Sequence, residues 1–127
     1  MRTTLRTEHN VRFALLFGSA ATGADTLTSD LDVLVVLRDP SLERVVDLSG
    51  KLATTVGRPC DIVRLDDAEG EPLFLADAVA DGRVLVDREG LWPRLRRREI
   101  SLRQRGSRQE AGRAQAALAG IDWLLAN

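Results

Sequence analysis

Gly18-Ser19 is followed, after ten intervening residues, by Asp30-Leu31-Asp32. In an extended strand alternate side chains share a face, so Asp30 and Asp32 point one way while Leu31 and Val33 point into the core. Two unpaired carboxylates at the head of an apolar strand repel each other, and partial burial strips away their solvation. A bound cation removes both costs. Magnesium suits the position, because it takes hard oxygen ligands, keeps several waters and completes its shell with substrate phosphates. Asp61 is the candidate third carboxylate, at the start of the strand-like Asp61-Ile62-Val63. If that strand lies beside the Leu31 strand, three acids can hold two metals about 3.5 to 4 Å apart, the arrangement for in-line phosphoryl displacement. Asp61 would then ligate the metal that activates an acceptor hydroxyl, and it could take the proton.

Gly18-Ser19 supplies the other half of such a site. A strand that ends in Gly-Ser and turns into a helix offers backbone N–H groups and a hydroxyl to an anion, and glycine lets a phosphate approach the chain closely. Taken alone, Gly-Ser commonly just ends a strand. The spacing to Asp30 gives it meaning, with the triphosphate seated there and Gly23 ending a short helical turn. Reading Asp30 and Asp32 as a solvated turn leaves both Gly18-Ser19 and Asp61 without explanation.

The elements that must carry these residues are readable in outline. Val11 to Phe17 is a nearly continuous apolar run, as expected of a strand covered on both faces, and Leu31 to Leu37 has the β-branched enrichment of a buried strand. Asp39-Pro40-Ser41 predicts a helix start, with Asp39 as cap and Pro40 in the first position. Leu42, Val45, Val46, Leu52 and Val56 recur at helical spacing, so a helix is expected over about 41 to 56, closed by Gly57. Cys60 to Leu65 reads as a third strand, 71 to 80 as a second helix beginning at Glu71-Pro72, and Arg83 to Val86 as a fourth strand after a turn at Asp81-Gly82. The first ten residues read as a short helix or arm anchored by Leu5. From Leu91 onward the pattern is helical, anchored first by Leu91, Trp92, Leu95, Ile100 and Leu102 and later by Leu118, Ile121, Leu124 and Leu125. Gly106 and Gly112 each cost about 1 kcal/mol relative to Ala and predict breaks.

With 127 residues, 44% of them hydrophobic and 29% charged, the chain is expected to form one soluble α/β (α+β) domain. Its core would run over about 11 to 88 and a C-terminal helical arm over about 91 to 126. The net charge of −1 argues against a surface built to coat nucleic acid. Between Arg94 and Arg113, however, eight Arg against Glu99 and Glu110 give a net +6 beside a remainder of −7. That is a basic arm on an acidic body, which fits a solvated helix face, partner docking or RNA contact. Cys60, the single cysteine, excludes an internal disulfide, reads as a small core residue, and fits a reducing compartment. With no export signal or membrane span evident, the expected location is cytoplasmic. His9, alone near the terminus, is assigned no role.

Gly18-Ser19, Asp30-x-Asp32 and the later strand bearing Asp61 together resemble the signature of the DNA polymerase beta-like nucleotidyltransferase superfamily. Within it, the short length resembles the minimal nucleotidyltransferases, the MNT or MntA-type antitoxins. The resemblance covers roughly Val11 to Val86. It implies a nucleotidyltransferase fold with a mixed, mostly antiparallel sheet of about four strands flanked by helices, magnesium as cofactor, and ATP as substrate. It also implies a partner, a HEPN-domain ribonuclease toxin that such antitoxins silence by transferring AMP to a tyrosine. One position departs from the pattern: Gly18-Ser19-Ala20-Ala21-Thr22-Gly23 has Thr22 where the family often has Arg, so a charge that would steady the loop or the phosphates is missing.

The leading expectation is therefore magnesium-dependent transfer of AMP from ATP to a protein hydroxyl, through Asp30, Asp32 and Asp61 with Gly18 and Ser19 at the phosphates. Two other classes remain open. One is a catalytically weak or inactive module that neutralises a partner by covering it, with the basic arm and Trp123 in the interface. The other is a small-molecule nucleotidyltransferase of the aminoglycoside type. Its acceptor site would have to come from the roughly 40 residues after Val86 or from a homo-oligomer.

Overall fold

The computed structural model describes residues 1–24 and 29–126, with side chains as far as Ile121. A short helix α1 (Arg2–Thr7) leads into β1 (Val11–Phe17), the helical turn α2 (Ser19–Thr22), β2 (Leu31–Leu37), helix α3 (Leu42–Val56) and β3 (Cys60–Arg64). The turn α4 (Leu65–Ala68), helix α5 (Pro72–Asp81), β4 (Arg83–Asp87), α6 (Leu91–Arg97) and the long α7 (Glu99–Ala126) complete the chain. The four strands form one sheet in the order β3-β2-β1-β4. β1 runs antiparallel to both β2 and β4, and β3 lies parallel to β2. The sheet is thus mixed and mostly antiparallel, as expected.

β1 and β2 occupy the middle and are covered on both faces, which is why their apolar runs do not alternate with polar residues. One face packs Val33, Val35 and Leu37 against Leu48 and Leu52 of α3 and Leu5 of α1. The other packs Phe13, Leu15, Phe17 and Leu34 against Leu75, Ala76, Ala78 and Val79 of α5, Leu95 of α6 and Leu102 of α7. A bulge between Val11 and Phe13 moves the strand by one residue, so Val11 joins the first layer and Phe13 the second. Among the described residues, no helix is long and apolar enough to cross a membrane.

Several local expectations are corrected. The cap of α3 is Ser41, whose hydroxyl accepts from the Arg44 N–H at 3.4 Å. Asp39 instead accepts from the Ser41 N–H at 3.1 Å, one step upstream, and Pro40 precedes the helix rather than opening it. Gly106 and Gly112 do not break the C-terminal helix: α7 is continuous, and the interruption falls at Arg98. Gly106 is buried against Leu73, where a Cβ would meet Cγ at 2.4 Å. The glycine is there because two helices approach closely, and that packing outweighs its poor propensity. The interruption also changes the helix face, leaving Ile100 73% exposed rather than anchored. Beyond Gly106, every described residue from Ser107 to Ile121 is exposed, including Leu118 and Ile121. The side chains of Trp123, Leu124 and Leu125 lie outside the described residues.

The basic arm is partly neutralised by the body it crosses. Arg98 grips both carboxylate oxygens of Glu69, at 2.6 and 2.7 Å, and Arg105 approaches the same group at 3.6 Å. Arg103 bridges Asp77 of α5 and Glu99 of its own helix.

Candidate active site

β1 leads straight into the turn that faces the acids. Its last residue, Phe17, is followed by Gly18 at φ 72° and ψ −152°, a conformation that only glycine adopts readily, and α2 begins at Ser19. Gly23, left-handed, closes α2 by donating its N–H to the Ser19 carbonyl. Thr22 turns its hydroxyl back to the same carbonyl at 3.2 Å.

Asp32 is the second residue of β2 and pairs in register with Phe17 on one side and Asp61 on the other. Alternation settles which face they share. Val33 and its partner Ile62 pack in the α3 layer, whereas Leu34 and its partner Val63 pack in the α5 layer. Asp32 and Asp61, one residue earlier in each strand, therefore both project on the α5 side. Asp30 stands exposed just before the strand. Its loop is tied to the loop before Asp61 by two bonds: the Leu31 N–H donates to the Pro59 carbonyl at 2.9 Å, and Arg58 Nε donates to the Ser29 carbonyl at 2.9 Å.

The electrostatics follow from this placement. Burial, then the charges of Asp61 and Asp30, push the Asp32 carboxyl above its usual range. Its ionised form is disfavoured by its surroundings, and a cation would restore it. On the other side, a Cβ at Gly18 would lie 2.7 Å from Asp32 Oδ2, so the glycine backbone rests directly over this carboxylate. Among the described residues, no three His, Cys, Asp or Glu side chains converge into a ready-made metal cage. The donor set nonetheless fits magnesium, which is commonly held by one or two carboxylates plus substrate phosphates rather than by an all-protein cage.

Cys60, next to Asp61, is buried and its thiol is pushed up by that burial, as befits a core residue. Nothing in the sequence marks Arg58 as the residue that ties the Asp30 loop to the loop before Asp61. Nor does anything there mark the aromatic pair beside the acids: Phe17 and Phe74 meet edge to face with ring centres 5.4 Å apart. Phe74 sits in the first turn of α5, where an apolar residue reads simply as core.

A family model described as polymerase beta nucleotidyltransferase matches residues 1–90. Curated protein sequences give no significant match. Among solved structures, a chain from a toxin–antitoxin complex crystallised with AMP-PNP aligns at 24% identity and a TM-score of 0.69, covering 94% of each chain. A chain from an MntA-HepT toxin–antitoxin complex aligns at 22% and 0.62, over 94% of this chain and 92% of that one. A chain from the tri-AMPylated Shewanella oneidensis HEPN toxin in complex with MNT antitoxin aligns at 21% and 0.60, over 95% and 98%. The shared fold places the four-stranded sheet and its flanking helices in the same architecture.

Proposed function

This chain belongs to the polymerase beta nucleotidyltransferase family, whose model spans its first 90 residues, and from that premise we propose that it transfers AMP from ATP to a hydroxyl of a HEPN-type toxin. The toxin would be the protein it neutralises. The observation that carries the chemistry is the register of Asp32 on Asp61, with Gly18 lying over Asp32. Asp30, Asp32 and Asp61 would hold magnesium, which when bound supplies positive charge against the triphosphate and lowers the cost of placing an acceptor oxygen beside it. Gly18 leaves room for phosphate oxygens to approach the backbone, and Ser19 offers them its N–H and hydroxyl. The acceptor oxygen bonds to the α-phosphorus as the bond to the bridging oxygen breaks, and pyrophosphate leaves. The hydroxyl proton passes to Asp61, which unlike Asp32 is exposed and so open to an acceptor from outside. The partner is supported by the toxin–antitoxin complexes that share the fold, one with AMP-PNP and one with an AMPylated HEPN toxin.

The direct test incubates the chain with labelled ATP, magnesium and a HEPN-type toxin, sought first among the products of neighbouring genes. AMP should appear on the toxin with wild type and not with Asp61→Asn. A toxin that is neutralised but never labelled would dismiss the reading.

A second reading has one observation in its favour. The helix from Ser107 to Ile121 is wholly exposed and carries Leu118 and Ile121 three residues apart, a surface able to neutralise a partner by contact. Under it, deleting residues 107–127 abolishes neutralisation while Asp32→Asn leaves it intact. Transfer chemistry predicts that Asp32→Asn abolishes it.

A further inference from the structure

Resting on the nucleotidyl-transfer reading, we infer that Phe74 is the stacking platform for the nucleobase of the incoming nucleoside triphosphate. The chain has three Phe, two Trp and no Tyr, so a large exposed ring beside the acids is a scarce resource there. Phe17 is the cross-strand partner of Asp32 and points to the same α5 side of the sheet. Side chains so paired stand about 4.5 to 5.5 Å apart at Cβ. Phe74 meets Phe17 at 5.4 Å with an interplanar angle of 89°. Phe17 is sealed to 7% exposure, whereas Phe74 keeps 40%. Phe17 is thus the inner ring and Phe74 the outer one, partly exposed and one side chain removed from Asp32.

A triphosphate seated at Gly18-Ser19 and Asp32 leaves its base to be held by something else. Among the described residues, Phe74 is the exposed aromatic ring tied to this site. The alternative, that Phe74 merely lids Phe17, accounts for the edge-to-face contact but assigns nothing to the exposed part. A base stacked on an aromatic ring gains affinity without a hydrogen-bond code, so this platform favours the larger purines by contact area and does not separate adenine from guanine.

The two roles separate in binding experiments on the full chain. Equilibrium binding of a non-hydrolysable ATP analogue and of inorganic tripolyphosphate, each with magnesium, is compared for wild type, Phe74→Leu and Phe74→Trp. Leucine preserves apolar cover over Phe17 but has no π face. Expected are nucleotide binding weakened about ten-fold or more in Phe74→Leu, tripolyphosphate binding within two-fold of wild type, and both ligands near wild type in Phe74→Trp. Nucleotide binding unchanged in Phe74→Leu overturns the inference, as does an equal loss of both ligands, which marks a structural role. Unchanged nucleotide affinity with slower transfer to the toxin also overturns it, by assigning the ring to the acceptor. If wild type binds tripolyphosphate as tightly as the nucleotide, the platform falls while the transfer reading stands. If it binds neither, both fall together.

Discussion

The backbone of Gly18 lies against the carboxylate of Asp32, so closely that a Cβ would sit 2.7 Å from Oδ2. The contact joins the strand-to-helix turn to the acid cluster, and any side chain at 18 would displace the carboxylate or the turn. Gly18→Ala combines that clash with a left-handed backbone at φ 72°. It should cost about 1–3 kcal/mol in denaturant melts. Nucleotidyl transfer should fall about 100-fold, because misplacing a catalytic group by an ångström has that order of effect. Alanine with wild-type activity would show that the close approach serves nothing.

Asp32 gives a prediction with a definite sign. Its carboxyl titrates above the usual range because of burial and the charges of Asp61 and Asp30. For an acid raised by folding, the stability contribution is complete below its unfolded value and is lost as pH rises through its folded value. Without a divalent cation, the wild type should therefore lose stability as pH climbs out of the carboxylate range. At neutral pH, Asp32→Asn should melt about 1–4 °C higher. Magnesium should reverse the order, raising the wild-type midpoint by mass action and leaving the variant unmoved. Thermal melts in chelator and in magnesium read both halves. Melting points that ignore both magnesium and the substitution would dispose of the idea.

How much of this was legible beforehand differs between the two halves of the chain. The strand pair bearing Gly18 and Asp32 is written locally: apolar runs of strand length, small residues between them, and carboxylates two apart. The parallel placement of β3 on β2 is not, because strand order depends on how α3 crosses the sheet. Asp61 could be nominated, but its pairing with Asp32 needed coordinates. In the C-terminal half, local propensity pointed the wrong way. Gly106 reads as a breaker until Leu73 is seen against it. Ile100 reads as core until the interruption at Arg98 rotates it outward. Arg98 itself reads as one more surface charge until Glu69 is opposite it. Each miss is a tertiary contact overriding a local preference.

The two mid-helix glycines should respond oppositely to alanine. At Gly112 nothing lies within 4 Å of the would-be Cβ, so Gly112→Ala should stabilise by about 0.5–1 kcal/mol through helix propensity alone. At Gly106 the Cβ would meet Leu73 Cγ at 2.4 Å, Cδ2 at 2.8 Å and the backbone N at 3.1 Å. Overpacking of that kind costs about 1–3 kcal/mol, so Gly106→Ala should be destabilising despite the same propensity gain. Urea melts of the two variants side by side are sufficient. Equal stabilisation of both would mean that α5 and α7 are not held at this separation.

Arg98 and Glu69 carry the last prediction, because their pair ties the junction of α6 and α7 to the end of α4. The guanidinium meets both carboxylate oxygens, a fork that Lys cannot reproduce. Arg98, more than burial opposes, holds the Glu69 carboxyl below its ordinary value of 4.5. For an acid lowered by folding, the stabilisation is present above the unfolded value and is lost as pH falls through the folded one. The wild type should therefore lose stability between about pH 5 and 3 in part through this group, and Glu69→Gln should flatten that part of the curve. At neutral pH both Glu69→Gln and Arg98→Lys should cost about 1 kcal/mol or less, since Glu69 is 34% exposed and solvent screens the pair. The difference between wild type and Glu69→Gln should shrink as the acid limb is descended. A difference that stays constant from pH 7 to 3 would show that the two residues touch without the contact lowering the Glu69 carboxyl.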